Sequence, residues 1–257
     1  MSRHPTAIID AKADLHPSVE VGPYAVIGKG VVIGEGTRVG AHSVIEGRTR
    51  IGKGNRIFHF ASVGADPQDL KYKGEDTELV MGDGNIVREF VTLHRGTAQD
   101  LGVTRIGNGN LFMANAHVAH DCVVGDGCVV ANSAAVAGHC VIDDHVVLGG
   151  LVGVHQFTRI GAHAFVGGGS MVGMDIPPYC IAQGFPAELA GLNTVGLKRH
   201  GMTEEQLRRI KGVYRIFFRS KLGLNEALAR AQAEFGGNAE IDSFLSFMSS
   251  SKRGVAR

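Results

Sequence analysis

The sequence predicts a parallel β-helix followed by a small α-helical domain, and three observations carry that prediction. An apolar residue recurs at every sixth position through most of the first two thirds of the chain. Glycine is abundant, 37 of 257 residues, roughly twice the ~7 % of an average protein. After Pro177-Pro178 the six-residue rhythm stops and a helical pattern takes over.

The first register runs Ile9, Leu15, Val21, Ile27, Ile33, Val39, Ile45, Ile51, Ile57, Val63 and resumes at Met81, Val87 and Leu93. A second runs through Ile106, Phe112, Val118, Val124, Val130, Val136, Ile142, Leu148, Val154, Ile160, Val166 and Val172. No helix of 3.6 residues per turn gathers such positions on one face, whereas six residues equal three strand alternations, a short strand plus a turn. The glycine that often follows, as at Gly22, Gly28, Gly34, Gly40, Gly52 and Gly64, is expected to supply a left-handed corner. Three repeats close a triangular coil of 18 residues, and coils stack at the ~4.8 Å strand spacing. Residues 65–80 and 94–105 break the rhythm and are expected to leave the coil as loops. The second break shifts the register by one, since 93 to 106 is thirteen. The β-helix is expected over 1–185 and the α-helical domain over 186–257. There Thr203-Glu-Glu-Gln206 reads as a capping box opening a helix to Arg219, with further helices at Asn225–Phe235 and Ile241–Met248.

Composition narrows the class. With 44 % hydrophobic residues the chain is too apolar for disorder, and its glycines lack the collagen period. No apolar run approaches the ~18 residues of a membrane span, and the start, Met-Ser-Arg-His-Pro-Thr, lacks a secretory apolar core. Cys122, Cys128, Cys140 and Cys180 show no Cys-x-x-Cys spacing, so reduced thiols and a cytoplasmic location are expected. The net charge of +1 divides unevenly: 14 Lys+Arg against 18 Asp+Glu up to residue 185, then 12 against 7. A basic helical domain suits an acidic or phosphorylated partner.

An 18-residue coil also predicts neighbours. His120, Gly138 and Gln156 form one column, Asp121, His139 and Phe157 the next, and Cys122 lies over Cys140, as a disulfide or as two buried thiols. Histidine suits a general base near neutral pH, with Asp121 or a backbone carbonyl to fix its tautomer. Gly138, lacking a side chain, leaves its N–H open to a developing oxyanion. The bland alternative is a histidine that packs at the surface or between subunits. Gly168-Gly-Ser170-Met-Val172 fails the Gly-x-Ser-x-Gly elbow, which favours direct attack by an activated hydroxyl or water.

At Asn115-Ala-His-Val-Ala-His-Asp-Cys122 the chain resembles a known family. With Val154-His-Gln-Phe157, Asp69-Leu-Lys-Tyr-Lys-Gly-Glu75, Ile181-Ala-Gln-Gly184 and Gly191-Leu-Asn-Thr-Val-Gly-Leu-Lys-Arg199, it is similar to the hexapeptide-repeat acyl-[acyl-carrier-protein]–UDP-N-acetylglucosamine O-acyltransferases of lipid A biosynthesis, over nearly its whole length. The resemblance implies a left-handed coil and a homotrimer with active sites between subunits. It implies acyl carrier protein and UDP-N-acetylglucosamine as partners, and no cofactor or metal. His120 would be the base, Asp121 its orienting partner and Gly138 the oxyanion donor. Asp69 and Lys71 would contact the sugar, and His117, His139, His155 and Gln156 would line the groove. Asn193 and Arg199 would meet the nucleotide, and Gly168 would set acyl-chain length. Val195 and His200 stand where the family commonly shows an acid and an arginine, which admits a 3-amino sugar nucleotide as acceptor. Arg208, Arg209, Lys211, Arg215 and Arg219 would face the carrier protein. The rival readings are a zinc-dependent γ-class carbonic anhydrase, which shares the coil, and a non-catalytic trimeric scaffold.

Overall fold

The computed structural model describes residues 3–257; Met1 and Ser2, which open the segment read as leaderless, lie outside the described residues. Short strands stack into three parallel sheets, the faces of a triangular prism. The first face has nine strands, from Ile8–Ile9 to Met171–Val172. The second has eight, from Asp14–Leu15 to Arg159–Ile160, and the third has ten, from Glu20–Val21 to Glu188–Leu192. The pairing Ile8↔Val26 and Ile9↔Ile27 sets the 18-residue coil that the hexads require. The hexad residues from Leu15 to Val172 point inward and form one continuous buried core. Among them stands a ladder of buried asparagines, in which Asn85 Nδ2 donates to Asn55 Oδ1 at 3.0 Å and Asn110 N donates to Asn85 Oδ1 at 2.9 Å.

The post-aliphatic glycines serve a different purpose from the expected one. Gly22, Gly28, Gly34, Gly40 and Gly52 are not left-handed; a Cβ on Gly40 would sit 2.6 Å from His59 N, and one on Gly34 would sit 2.7 Å from Gly52 O. They are needed because neighbouring coils approach too closely for a side chain. The left-handed corners come two residues later, at Tyr24, Gly30, Gly36, His42 and Gly54. Gly64 alone of the six has φ +81°, beside the bulge where Val63 and Ala65 pair with Leu93 and His94.

Both expected loops are shorter than the broken rhythm suggested. Glu78–Met81 and Val103–Ile106 are four-residue strands that pair with each other, and the former also pairs with Arg48–Ile51. The excursions therefore span 66–77 and 95–102. The third sheet also runs past 185: Gly184 at φ +106° helps reverse the chain, and Glu188–Leu192 returns antiparallel to Cys180–Gln183.

Four helices follow, α1 (Thr194–Arg199), α2 (Glu204–Phe218), α3 (Leu224–Phe235) and α4 (Ala239–Ser250). The capping box of α2 is formed, with Thr203 Oγ1 accepting from Gln206 N and Gln206 Oε1 accepting from Thr203 N. Sequence periodicity missed α1, which buries only Leu197 and is opened by the Asn193 side chain accepting from Gly196 N. The helices share their own core, which includes Leu197, Leu207, Ile210, Phe217, Ile241 and Phe244. The tail then rejoins the coil, since Val255 bridges to Asp175 and Ala256 enters the coil core. All four cysteines are buried free thiols, as expected. Among the described residues no helix is long and apolar enough to cross a membrane.

Candidate active site

The chemistry gathers at one corner of the prism, where the chain leaves the first-face strands His117–Val118, Ala135–Val136 and Gly153–Val154. Asp121, His139 and Phe157 each occupy the left-handed region there, at φ +57°, +63° and +64°, which Asp and His tolerate better than most residues. Their stacking makes a column: His139 N donates to His120 O at 3.0 Å and Phe157 N to Gly138 O at 3.1 Å. His120 Nδ1 lies 2.9 Å from Asp121 Oδ2. A carboxylate only accepts, so Nδ1 carries the proton and Nε2 keeps its lone pair.

Asp121 is fixed from its other side by Thr97. The Thr97 N–H reaches both carboxylate oxygens at 3.0 Å, and its hydroxyl donates to Oδ2 at 2.6 Å. Burial pushes the Asp121 carboxyl up, but hydrogen bonds from His120 and Thr97 outweigh it and hold the pKa below its usual value. Gly138 is required on steric grounds, because a Cβ there would come within 2.6 Å of the His120 ring. Its N–H meets no acceptor among the described residues.

Further imidazoles surround the pair. His139 packs edge-on to His120 at 4.9 Å and flat on Phe157 at 4.4 Å, with its Nδ1 2.5 Å from Asp100 Oδ2. His117 Nδ1 bonds Thr92 Oγ1 at 2.7 Å, and burial, then His120, lowers its pKa. His94 packs edge-on to His117, and burial, then His117 and His120, lowers its pKa to about 4. A cleft of about 730 Å³ opens beside them, with His117, His120, Gly138, His155 and Gln156 at one end. Ala135, Gly153, Val154, Met171, Phe185 and Pro186 supply an apolar remainder. A larger hollow, about 870 Å³, lies on the first coils and holds none of the expected site residues.

Two loops meet over this corner. Arg95, nearly buried, donates to Gly64 O at 2.6 Å, to Tyr72 Oη at 3.0 Å and to Asp66 Oδ1. It thereby ties the segment 66–77 to the loop that carries Thr97. On that segment Asp69 Oδ1 accepts from Lys71 N at 2.9 Å, and Gln68 reaches the cleft.

Comparison with known proteins identifies the lineage of this corner. Residues 175–256 match the family described as UDP N-acetylglucosamine O-acyltransferase, domain 2, and residues 12–47 and 104–138 match the bacterial transferase hexapeptide repeat. The acyl-[acyl-carrier-protein]–UDP-N-acetylglucosamine O-acyltransferase of Myxococcus xanthus is 63 % identical over 99 % of this chain and 98 % of its own. That of Anaeromyxobacter dehalogenans is 57 % identical over the whole of both. The chain belongs to the acyl-[acyl-carrier-protein]–UDP-N-acetylglucosamine O-acyltransferase family. Among solved structures, LpxA from Acinetobacter baumannii superposes with a TM-score of 0.97 at 43 % identity, and the enzyme from Moraxella catarrhalis with 0.97 at 46 %, each over the whole of both chains. The coil is accordingly the left-handed parallel β-helix of these acyltransferases.

The acyltransferase chain does not bring every expected residue together. His117, His120, Gly138, His155 and Gln156 line the cleft at this corner, with Asp121 and His139 packed against His120 behind it, whereas Asn193 sits at another corner, donating to His163 O at 2.9 Å, and Arg199 ends α1 there. His200 packs against His145 at 4.6 Å and His163 at 5.0 Å, and Val195 is exposed. Gly168 lies at a third corner against Gly150, 3.2 Å from its carbonyl oxygen by a would-be Cβ, and does not line the cleft. Sequence reasoning missed Thr97, Arg95, His94 and Met171. The fixed 18-residue step could have flagged Met171, three coils above His117, but not residues delivered by loops. For the zinc reading, His120, Asp121 and His139 do offer ligand atoms within 4.8 Å of one another. Asp121, however, is already filled by His120 and Thr97, and His139 by Asp100, so a cation would have to break this network.

Proposed function

We propose that the chain transfers a 3-hydroxyacyl group from acyl carrier protein to the 3-hydroxyl of UDP-N-acetylglucosamine, the first step of lipid A biosynthesis, in the cytoplasm. The observation that carries the mechanism is His120, whose Nδ1–H is held by a buried carboxylate while Nε2 lies over Gly138 at the head of an apolar cleft. Nε2 takes the proton of the sugar hydroxyl as its oxygen attacks the thioester carbonyl. The carbonyl becomes an oxyanion that accepts from the Gly138 N–H. Collapse breaks the carbon–sulfur bond, and the imidazolium returns the proton to the departing sulfur. Asp121 orients the ring and stabilises its charged form.

His117, His139, His155 and Gln156 position sugar and donor around this point, and Asp69 and Lys71 reach the sugar from the loop. Asn193 and Arg199 hold the nucleotide from the corner of a neighbouring subunit in a homotrimer. That arrangement is supported by their separation from His120 within one chain and by a cleft walled by a single sheet face. Gly168 limits acyl length at such a seam. Val195 and the histidine-packed His200 favour testing a 3-amino sugar nucleotide beside UDP-N-acetylglucosamine. Purified enzyme is assayed with 3-hydroxyacyl carrier protein and each acceptor, wild type beside His120→Ala. Transfer by the wild type and a loss of roughly 10²–10⁴ in kcat for the variant is expected. A His120→Ala variant of unchanged rate overturns the mechanism, and a trimer that transfers to neither acceptor overturns the function.

A further inference from the structure

A second cleft, about 560 Å³, backs onto the corner opposite the first and is lined by His139, Val141, Phe157, Arg159, Asp175, Ser250, Lys252 and Arg253. Its charge is lopsided. Arg159, Lys252 and Arg253 form no ion pair with a carboxylate among the described residues, while many of the protein's other cations do. Asp175, the only acid in the lining, is buried and engaged, accepting from Arg159 N at 2.9 Å and from Ser251 Oγ at 2.8 Å.

The two guanidinium groups are also held in place. The Arg159 guanidinium lies over the Phe247 ring at 4.4 Å and donates to Ser250 Oγ at 2.9 Å. Arg253 donates from Nε to Gly173 O at 2.6 Å and from Nη2 to His155 Nδ1 at 2.9 Å. His155 and Gly173 both line the first cleft, so Arg253 stands on the wall between the two. Preorganised guanidinium groups beside an ammonium suit a phosphate, which offers several strong acceptor oxygens.

We infer that this cleft binds the phosphodiester of the donor's phosphopantetheine arm, so that the thioester passes the Arg253 wall and meets His120. The inference rests on the acyltransferase reading, since a carrier protein presents its acyl group on such an arm. The other phosphate at hand is the diphosphate of the sugar nucleotide. The donor is favoured because the cleft opens beside the basic tail of the helical domain and is remote from the Asn193 corner.

The test uses the full-length enzyme and three donors carrying the same acyl group: carrier protein, free acyl-phosphopantetheine and dephosphorylated acyl-pantetheine. Lys252→Ala and Lys252→Glu change an exposed side chain, and Arg253→Gln removes the charge from the wall. Each is expected to raise KM for the two phosphorylated donors about tenfold, the effect of losing one charge-assisted hydrogen bond. KM for acyl-pantetheine and for the sugar nucleotide should stay unchanged. An increase confined to the sugar nucleotide assigns the cleft to its diphosphate and overturns the inference, as does equal loss with phosphorylated and dephosphorylated donors. Wild-type enzyme inactive with all three donors would instead overturn the underlying acyltransferase reading.

Discussion

At the scale of single residues, the orientation of the proposed base, His120, depends on a side chain that does not line the cleft. Thr97 is fully buried and gives Asp121 two donors, so the carboxylate is both aimed and kept ionised. Thr97→Val keeps the shape and the backbone N–H but deletes the hydroxyl, leaving a buried oxygen one bond short. The carboxylate then loses one of the donors that hold its pKa down, and the ring it aims is less firmly placed. kcat should fall by roughly ten- to a hundredfold, with KM for the sugar nucleotide little changed. Thr97→Ser should restore kcat. A lower melting temperature with an unchanged kcat would reduce Thr97 to a packing role. His120, Asp121 and Gly138 were legible beforehand because they lie at fixed multiples of the coil length. Thr97 was not, because it enters on an excursion whose path no periodicity encodes. The role of Gly138 was only half legible: an open amide could be inferred, but not the flat approach of the His120 ring that forbids a Cβ.

At the scale of elements, α2 separates two tasks by face. Leu207, Ile210, Val213, Tyr214 and Phe217 are buried, which is why its 3.6-residue period was readable. Of the five basic residues expected to face a partner, Arg209 is already engaged, its guanidinium bonded to Glu205 and Glu240. Arg208, Lys211 and Arg215 are exposed at spacings of three and four, with exposed Arg219 four residues on, so they form one stripe. This stripe is the proposed docking surface for the acidic body of the carrier protein, distinct from the cleft proposed for its arm. Arg215→Glu should raise KM for acyl carrier protein about three- to tenfold at low ionic strength and much less above physiological salt. Its KM for free acyl-phosphopantetheine should not change, and a salt-independent effect would place docking elsewhere. The loops were less legible than the helix. Residues 78–80 belong to a segment that reads as polar and outside the rhythm, and 103–105 to one that shifts the register, yet both are strands, because backbone pairing to Arg48–Ile51 and to each other needs no hexad residue.

At the scale of the whole molecule, a uniform coil makes smooth faces, and smooth faces do not enclose substrates. The corner with His120 and the corner with Asn193 belong to different edges of one prism, so a single chain keeps the proposed catalytic and nucleotide residues apart. In the proposed trimer, lateral packing of like prisms around a threefold axis would turn each catalytic edge toward a neighbour's nucleotide edge, closing three sites with one kind of contact. The exposed first excursion, with Leu70 fully in solvent, is placed to reach across such a seam. This arrangement has a consequence that no single-chain site shares. His120→Ala and Asn193→Ala each damage a different edge, so a seam formed by the intact catalytic edge of one variant and the intact nucleotide edge of the other is whole. If subunits mix randomly in equal amounts, about one quarter of seams are whole, although each variant alone is nearly inactive. Co-expressed and co-purified variants should thus recover roughly 25 % of wild-type activity, against the sum of two residual rates for variants purified apart and mixed without exchange. Recovery no greater than that sum, in trimers shown by mass to contain both subunits, would put the whole site within one chain. Asn193 and Arg199 would then be structural residues of α1.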